Sequence, residues 1–228
     1  MLNRAARFFP ILRELRAAIP PGGSVLEVGS GSLGLGEFWS IPFVGCDIAF
    51  SSTPVANMLA VCGSGHQLPF RDRQFDAIVL SDVMEHVPPA YRPQVITEAL
   101  RVARKIVIFG YPCGPAAFEL DQKLYRDYLS QNLQPPVWLE EHMLHAFPDE
   151  NIFAGLPAEW KTKAIPNESL NFHDWMMKTE MVRLWNYCLR IALLIAPGLM
   201  ERWLRHADQE PSYRKIFVLT YQPEPAHA

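Results

Sequence analysis

Residues 25–36 read VLEVGSGSLGLG. An apolar run carrying one acid, Glu27, breaks into Gly29, Gly31, Gly34 and Gly36. Glycine has no Cβ and tolerates positive φ, so the chain can turn sharply and a ligand can approach its backbone. The pattern predicts a buried strand ending in a tight turn beneath a nucleotide-like ligand. The stretch also satisfies GxGxxG through Gly29, Gly31 and Gly34, and Asp47 follows at about the spacing of a ribose-binding acid. These residues leave two ligands open: a dinucleotide, or a nucleotide-like molecule carrying positive charge. Glu27 favours the second, because a carboxylate just before the turn repels a pyrophosphate. It also suits a backbone network that supports the loop.

The flanking sequence alternates strands with helices. A helix over residues 3–18 precedes SVLEV (24–28), and a short helix is expected near 33–39. Further strands follow at PFVGCDI (42–48), MLAVCG (58–63), QFDAIVLS (74–81) and KIVIFGYP (105–112), with a helix over 91–104 before the last of these. Such spacing implies right-handed βαβ units and a parallel sheet. Ligands of such sheets sit at the carboxyl ends of the strands, where Glu27, Asp47 and Ser81 fall. Residues 112–210 are rich in Trp, His and Pro; they read as helices at about 116–131, 137–146, 169–194 and 198–206, with a short strand near 161–165. RKIFVLTYQ (214–222) is the final strand.

The 228 residues carry a net charge of −3, without the basic footprint of a nucleic-acid binder. Cys46, Cys62, Cys113 and Cys188 are scattered, with no CxxC or Cys/His metal spacing. They read as free, mostly buried thiols in a reducing compartment, and no metal is expected. Charges at Arg4, Arg7, Arg13 and Glu14 argue against a secretory signal. The apolar stretch 184–200 is divided by Arg190 and ends at Pro197-Gly198, too short an uncharged run to span a bilayer. The expected location is cytoplasmic.

The segment QLPFRDRQFDAIVLSDVMEHV (67–87) decides between the ligands. With the glycine turn, it resembles the LPF-x-D-x-x-FD…EHV signature of class I S-adenosylmethionine-dependent methyltransferases, in their small-molecule type 11 branch. The resemblance covers about residues 22–112. It implies a three-layer α/β Rossmann-like sandwich: a mostly parallel seven-stranded sheet with an antiparallel last strand. Residues 113–210 would form a mainly helical cap or insertion within one methyltransferase domain, 1–228. It also implies roles for single residues. Gly29, Ser30 and Gly31 would line the methionine part of the cofactor, with Glu27 behind them. Asp47 would hold the ribose and Ile48 pack on the adenine. Gly65 and His66 would sit by the adenine edge, and Ser81 would face the methionine group. Ser64 and Gly65 stand where the family has Asp-Ala, so a neutral hydroxyl replaces the charged acceptor for the adenine amine. Asp72 and Asp76 read as structural.

Methyl transfer needs alignment first and, for some acceptors, a base. His86, just past the fourth strand, is the candidate catalytic residue; packing beneath the loop is its plain alternative. Tyr111 and His142 are candidates for touching the substrate, with a solvated helix face favoured for Glu141 and His142. The segment 181–206 has Met181, Leu184, Trp185, Leu189, Leu193 and Leu194 at helical spacing. A core-packing helix is favoured there; a lid or membrane-surface helix flanked by Arg183, Arg190, Arg202 and Arg205 is the alternative. The expected reaction is methyl transfer from S-adenosylmethionine to a small-molecule or lipid-like acceptor. The rivals are a non-catalytic binding protein of the same fold and a nicotinamide-dependent oxidoreductase.

Overall fold

The structure is a computed structural model, and it describes residues 2–180 and 183–223. Seven strands form one sheet in the order β3-β2-β1-β4-β5-β7-β6. They are β1 (Val25–Val28), β2 (Phe43–Asp47), β3 (Met58–Cys62), β4 (Phe75–Ser81), β5 (Ala103–Pro112), β6 (Trp160–Ser169) and β7 (Ser212–Tyr221). The β1–β2, β2–β3, β1–β4 and β4–β5 pairs are parallel. β7 runs antiparallel between β5 and β6.

Alternation along the strands divides the core between two faces, as the strand period of two requires. On one face, Leu26, Ile78, Leu80, Val107, Phe109 and Phe217 pack against Val95, Ala99 and Val102 of α2 (Arg92–Val102). On the other, Val25, Val79, Ile106, Ile108 and Ile216 pack against Phe8, Ile11, Leu12 and Leu15 of α1 (Leu2–Ala18). Burying each such side chain is worth roughly 1.5–3 kcal/mol. The result is the expected three-layer arrangement, with β1, β2, β4 and β5 ending along one rim.

The second half differs from expectation in detail. The strand expected over 161–165 is a ten-residue sheet edge, β6. The helix expected over 137–146 ends early, as α4 (Val137–His142). The helix expected over 169–194 is described as α5 (Leu170–Glu180) and α6 (Arg183–Ile195), residues 181 and 182 lying outside the described residues, and the short helix near 33–39 is a 3-10 turn at Gly34–Glu37. With α3 (Gly114–Ser130) and α7 (Pro197–Leu204), these helices lie between β5 and β7 in the chain. Met176, Met177, Leu189, Leu193 and Leu204 pack on Leu2, Ala5 and Ala6 at the start of α1. Met181, Leu184, Trp185, Arg183 and Arg190 lie outside the residues whose side chains are described. Cys46 and Cys113 are buried, but Cys62 and Cys188 are exposed, so only half of the thiols meet the burial expectation. Among the described residues, no helix is long and apolar enough to cross a membrane.

A charged junction ties these layers together just past β4. Arg214 on β7 grips Asp82 through Nε at 2.9 Å and Nη2 at 3.3 Å, and donates through Nη1 to Glu168 at 2.5 Å. Arg7 of α1 also pairs with Asp82. The two guanidinium groups hold the Asp82 carboxyl below its usual range despite burial. Arg214→Leu leaves Asp82 and Glu168 with one cation fewer and is expected to cost about 3–5 kcal/mol at pH 7. Depressed carboxyl pKa values add stability above the unfolded values and lose it as pH falls. Urea denaturation should therefore show the gap between wild type and variant narrowing as pH drops from 7 toward 3. A gap independent of pH would contradict this account.

Candidate active site

The glycine turn is built from beneath. Glu27, on β1, is buried, and its Oε2 accepts the Leu35 N–H at 2.6 Å. A Cβ on Gly34 would lie 2.0 Å from that oxygen, at φ +46°, so only glycine fits. Arg4 of α1 donates to the Gly34 carbonyl at 3.1 Å and pairs with Glu37. Burial pushes the Glu27 carboxyl up to about 8, against the lowering effect of the Leu35 hydrogen bond. Glu27 is thus the loop's support and not part of the cleft wall.

The turn is also fixed from the side. Gly29 N–H donates to the Cys46 carbonyl at 2.8 Å, and Gly31 N–H donates to Asp47 Oδ2 at 2.7 Å. At Gly29, with φ +73°, a Cβ would sit 2.3 Å from Val83 Cγ2. The loops after β1 and β4 therefore touch backbone to side chain. Ser30 is buried, its hydroxyl donating to the Gly31 carbonyl at 3.0 Å.

Over these loops lies a cleft of about 620 Å³. Its walls include Gly29, Asp47, Ile48, Ser64, Gly65, His66 and Tyr91, together with Asp82, His86 and Glu141. Ile48 is 79% exposed, an apolar side chain open to the cleft. The His66 and Tyr91 rings stack with centroids 5.7 Å apart. Ser64 Oγ is 2.8 Å from His66 Nδ1, so the serine in the expected acceptor position already has a partner.

Several sequence expectations need correction. Tyr111 does not reach the cleft: it is fully buried, stacked on Phe217, and its hydroxyl donates to the Asp149 carbonyl at 3.3 Å. β5 continues to Pro112, which keeps Tyr111 inside the sheet's apolar face. His142 is not on a solvated face; it is 6% exposed, with Nδ1 2.6 Å from Asp121 Oδ2. Asp121 Oδ2 also accepts from the Tyr213 hydroxyl at 2.9 Å. Ser81 is buried and its hydroxyl has no partner. Asp76 is structural, as expected, accepting from Ser24 N–H at 3.0 Å.

Around His86, at the cleft wall, the structure gathers a cluster of which Glu85 alone was not singled out from the sequence. His86 Nδ1 lies 3.3 Å from Glu141 Oε2, and its ring is 5.1 Å from that of His142. Desolvation, then the neighbouring His142, lowers the His86 pKa, so its ring is neutral at pH 7. Glu85 is 1% exposed, and beyond its own backbone neither carboxyl oxygen has a hydrogen-bond partner. Burial and the negative charge of Asp82 push its pKa well up. Donor atoms of Glu85, His86 and His142 all lie within 4.8 Å of one another. The sequence shows no metal-ligand spacing because His142 joins this group from a distant helix. The EHV of the motif was the available signal for Glu85.

Residues 26–109 match a family model described as a methyltransferase domain. Over those residues the chain is similar to the class I S-adenosylmethionine-dependent methyltransferases of the type 11 branch. The match favours a methyl donor over a nicotinamide cofactor. The methyltransferase is similar in fold to an S-adenosylmethionine-dependent methyltransferase of Thermotoga maritima, at 14% identity and TM-score 0.53, over 96% of this chain and 92% of that one. The YcgJ protein of Bacillus subtilis is 14% identical, with TM-score 0.50, over 98% and 100%. A phosphoethanolamine N-methyltransferase of Haemonchus contortus, complexed with phosphomonomethylethanolamine and S-adenosylhomocysteine, is 12% identical with TM-score 0.52. This methyltransferase aligns over 97% of its own length with 53% of that chain. Identities this low bear on the fold alone. No curated protein matches the chain.

The support role of Glu27 gives a pH signature. A carboxyl whose folded pKa is raised costs stability as pH climbs from its unfolded value toward the folded one. Wild type should lose stability relative to Glu27→Gln between about pH 4.5 and 8, and the difference should level off above that. The full span corresponds to roughly 5 kcal/mol at most. Thermal or urea denaturation across this range checks it; a constant difference would contradict the assignment.

Proposed function

We propose that the methyltransferase moves a methyl group from S-adenosylmethionine to a small-molecule or lipid-like acceptor. One observation carries this: a single cleft is lined both by Gly29, Asp47 and Ile48 and by Asp82, His86 and Glu141. A donor and an acceptor can share it.

The residues present suit the cofactor. Asp47 Oδ2 pins Gly31, while Oδ1, which accepts only a long 3.5 Å hydrogen bond from the Ala49 N–H, can also accept from ribose hydroxyls. Ile48 offers an uncovered apolar surface to an adenine ring. Ser64, Gly65 and His66 border the adenine edge, and Gly29, Ser30 and Gly31 shape the methionine end, with Glu27 behind them and Ser81 beneath. When bound, S-adenosylmethionine supplies a methyl group activated by a sulfonium. The chain's contribution is alignment of the acceptor and exclusion of water. His86, neutral and open to the cleft, handles the acceptor's proton.

Two observations bear on the acceptor. The cleft wall pairs polar groups with Val83, Val87 and Pro88. On α6 and α7, Leu189, Leu193 and Leu204 face α1, while Tyr187, Leu194, Ile195, Leu199 and Trp203 are exposed. That combination supports a helix pair resting against an apolar phase, through which a lipid-like acceptor would arrive. Four free cysteines are in keeping with a cytoplasmic location.

Calorimetry with S-adenosylhomocysteine should give one site per chain. Asp47→Ala should weaken binding at least ~10-fold, about 1.4 kcal/mol, and NAD should not bind. Absence of S-adenosylhomocysteine binding would refute the cofactor assignment. Methyl-labelled S-adenosylmethionine incubated with cell extract should place label in small-molecule or lipid fractions. Label confined to protein or RNA would overturn the acceptor class. Binding without any turnover would favour the non-catalytic alternative, to which the neutral Ser64 lends some support.

A further inference from the structure

We propose that Glu85, His86 and His142 bind a divalent first-row transition-metal ion, Zn²⁺ foremost, at the acceptor end of the cleft. Its functional role rests on the methyl-transfer reading; the site itself does not.

The first support is Glu85. It is 1% exposed, and both carboxyl oxygens lack a partner beyond its own backbone. A buried polar group in that state is costly, and its neighbours do not relieve it. Arg7 and Arg214 are taken up by Asp82 and Glu168, and the nearby Arg92 donates to the Met84, Val87 and Ala146 carbonyls. None of these guanidinium groups hydrogen-bonds the Glu85 carboxyl, so its oxygens stay without a donor beyond its own backbone among the described residues. A cation at its oxygens would satisfy both lone pairs and charge.

The second support is the state of the two histidines. His142 Nδ1 is 2.6 Å from Asp121 Oδ2, and His86 Nδ1 is 3.3 Å from Glu141 Oε2. The Asp121 carboxylate fixes the His142 tautomer with the proton on Nδ1, which leaves Nε2 as that ring's electron-pair donor, while Glu141 lies close to His86 without a hydrogen bond. A carboxylate behind a ligating imidazole is the usual outer support of a metal site, and His142 has it. Tyr213 in turn holds Asp121 by a 2.9 Å hydrogen bond, so the His142 ring is anchored.

The third support is spacing. The three donors lie within 4.8 Å of one another. Ligands at about 2.0–2.2 Å around a tetrahedral ion are about 3.4 Å apart, which small side-chain adjustments reach. Two imidazoles and one carboxylate suit zinc and its first-row neighbours, and offer too few oxygens for Ca²⁺ or Mg²⁺. His86 is on the cleft wall, so the fourth position would open toward the acceptor. An ion there would draw electron density from an acceptor heteroatom and make its proton easier to lose. As a ligand, His86 would then act on that proton through the ion.

The test uses the full-length protein after chelator treatment. Calorimetry with ZnCl₂ and CoCl₂ should give one ion per chain, with much weaker binding of MgCl₂. Glu85→Gln and His142→Ala should each weaken binding at least ~10-fold, and Co²⁺ should give visible bands that both variants lose. If His142→Ala fails to fold because Asp121 loses its partner, His86→Ala on the cleft wall is the replacement. S-adenosylhomocysteine titrations on the same samples separate the two assignments. Metal binding without S-adenosylhomocysteine binding would leave the site standing and remove the methyl-donor reading. S-adenosylhomocysteine binding with no metal uptake would overturn the site. So would uptake that survives in Glu85→Gln and His86→Ala, as an ion held by Cys62 or Cys188 would.

Discussion

The carboxylate of Asp82 meets Arg7 from α1 and Arg214 from β7 immediately past the end of β4. Its own N–H donates to the Gly110 carbonyl of β5 at 2.7 Å, and its φ is +51°. Aspartate tolerates that conformation better than most residues, and here it swings the chain away from the sheet. One residue thus fixes the exit of β4, the angle of α1 and the position of the antiparallel strand. The segment Val83–Val87 leaves this point at a set angle, and it carries the wall of the cleft. Placement of His86 and Glu85 follows from a buried electrostatic constraint and not from local helix or strand preference.

The loop after β1 obeys the same logic with a neutral group. Glu27 is kept protonated by burial up to about pH 8 and holds Leu35 by hydrogen bonding. Gly34 makes room for it, and Arg4 clamps the Gly34 carbonyl from α1. The two loops then meet where Gly29 lies against Val83. α1 reaches both loops, Arg4 to the first and Arg7 to the second, so docking of one amphipathic helix sets the mouth of the cleft at two points.

The first half was legible because its physics is local. Strands covered on both faces read as apolar runs, and the glycine turn with Asp47 marks the rim by residue type alone. The second half was less so. WKTKAIPNES alternates poorly and contains Pro166, yet it forms an edge strand, where a missing N–H faces no partner strand. Tyr111 looked like a rim residue because it precedes Pro112, but its side of β5 faces Phe217 and Phe153. His142 looked solvated because WLEEHML is polar and short. Its partner, Asp121, comes from another helix, and no periodicity within either segment announces the pair.

This division has a chemical consequence. The turn, Asp47 and the loop after β3 come from the half that matches the family model, and they suit a ligand common to the family. The acceptor end is assembled from both halves: His86 from the loop after β4, Glu141 and His142 from α4, with Asp121 from α3 behind. α3 and α4 lie beyond the matched residues, so their sequence is free to vary without disturbing the donor end. On the proposed function, acceptor chemistry would be set where α4 docks. That docking is anchored by a buried carboxylate–imidazole bond and by Arg92 donating to the Ala146 carbonyl at 2.8 Å. Arg92 belongs to α2, which packs on the sheet face holding Leu80 and Phe109. The α4 side of the cleft is thus referenced to the same sheet as the glycine turn, and on the proposed function the distance between a bound donor and its acceptor would be set by core packing and not by a free loop.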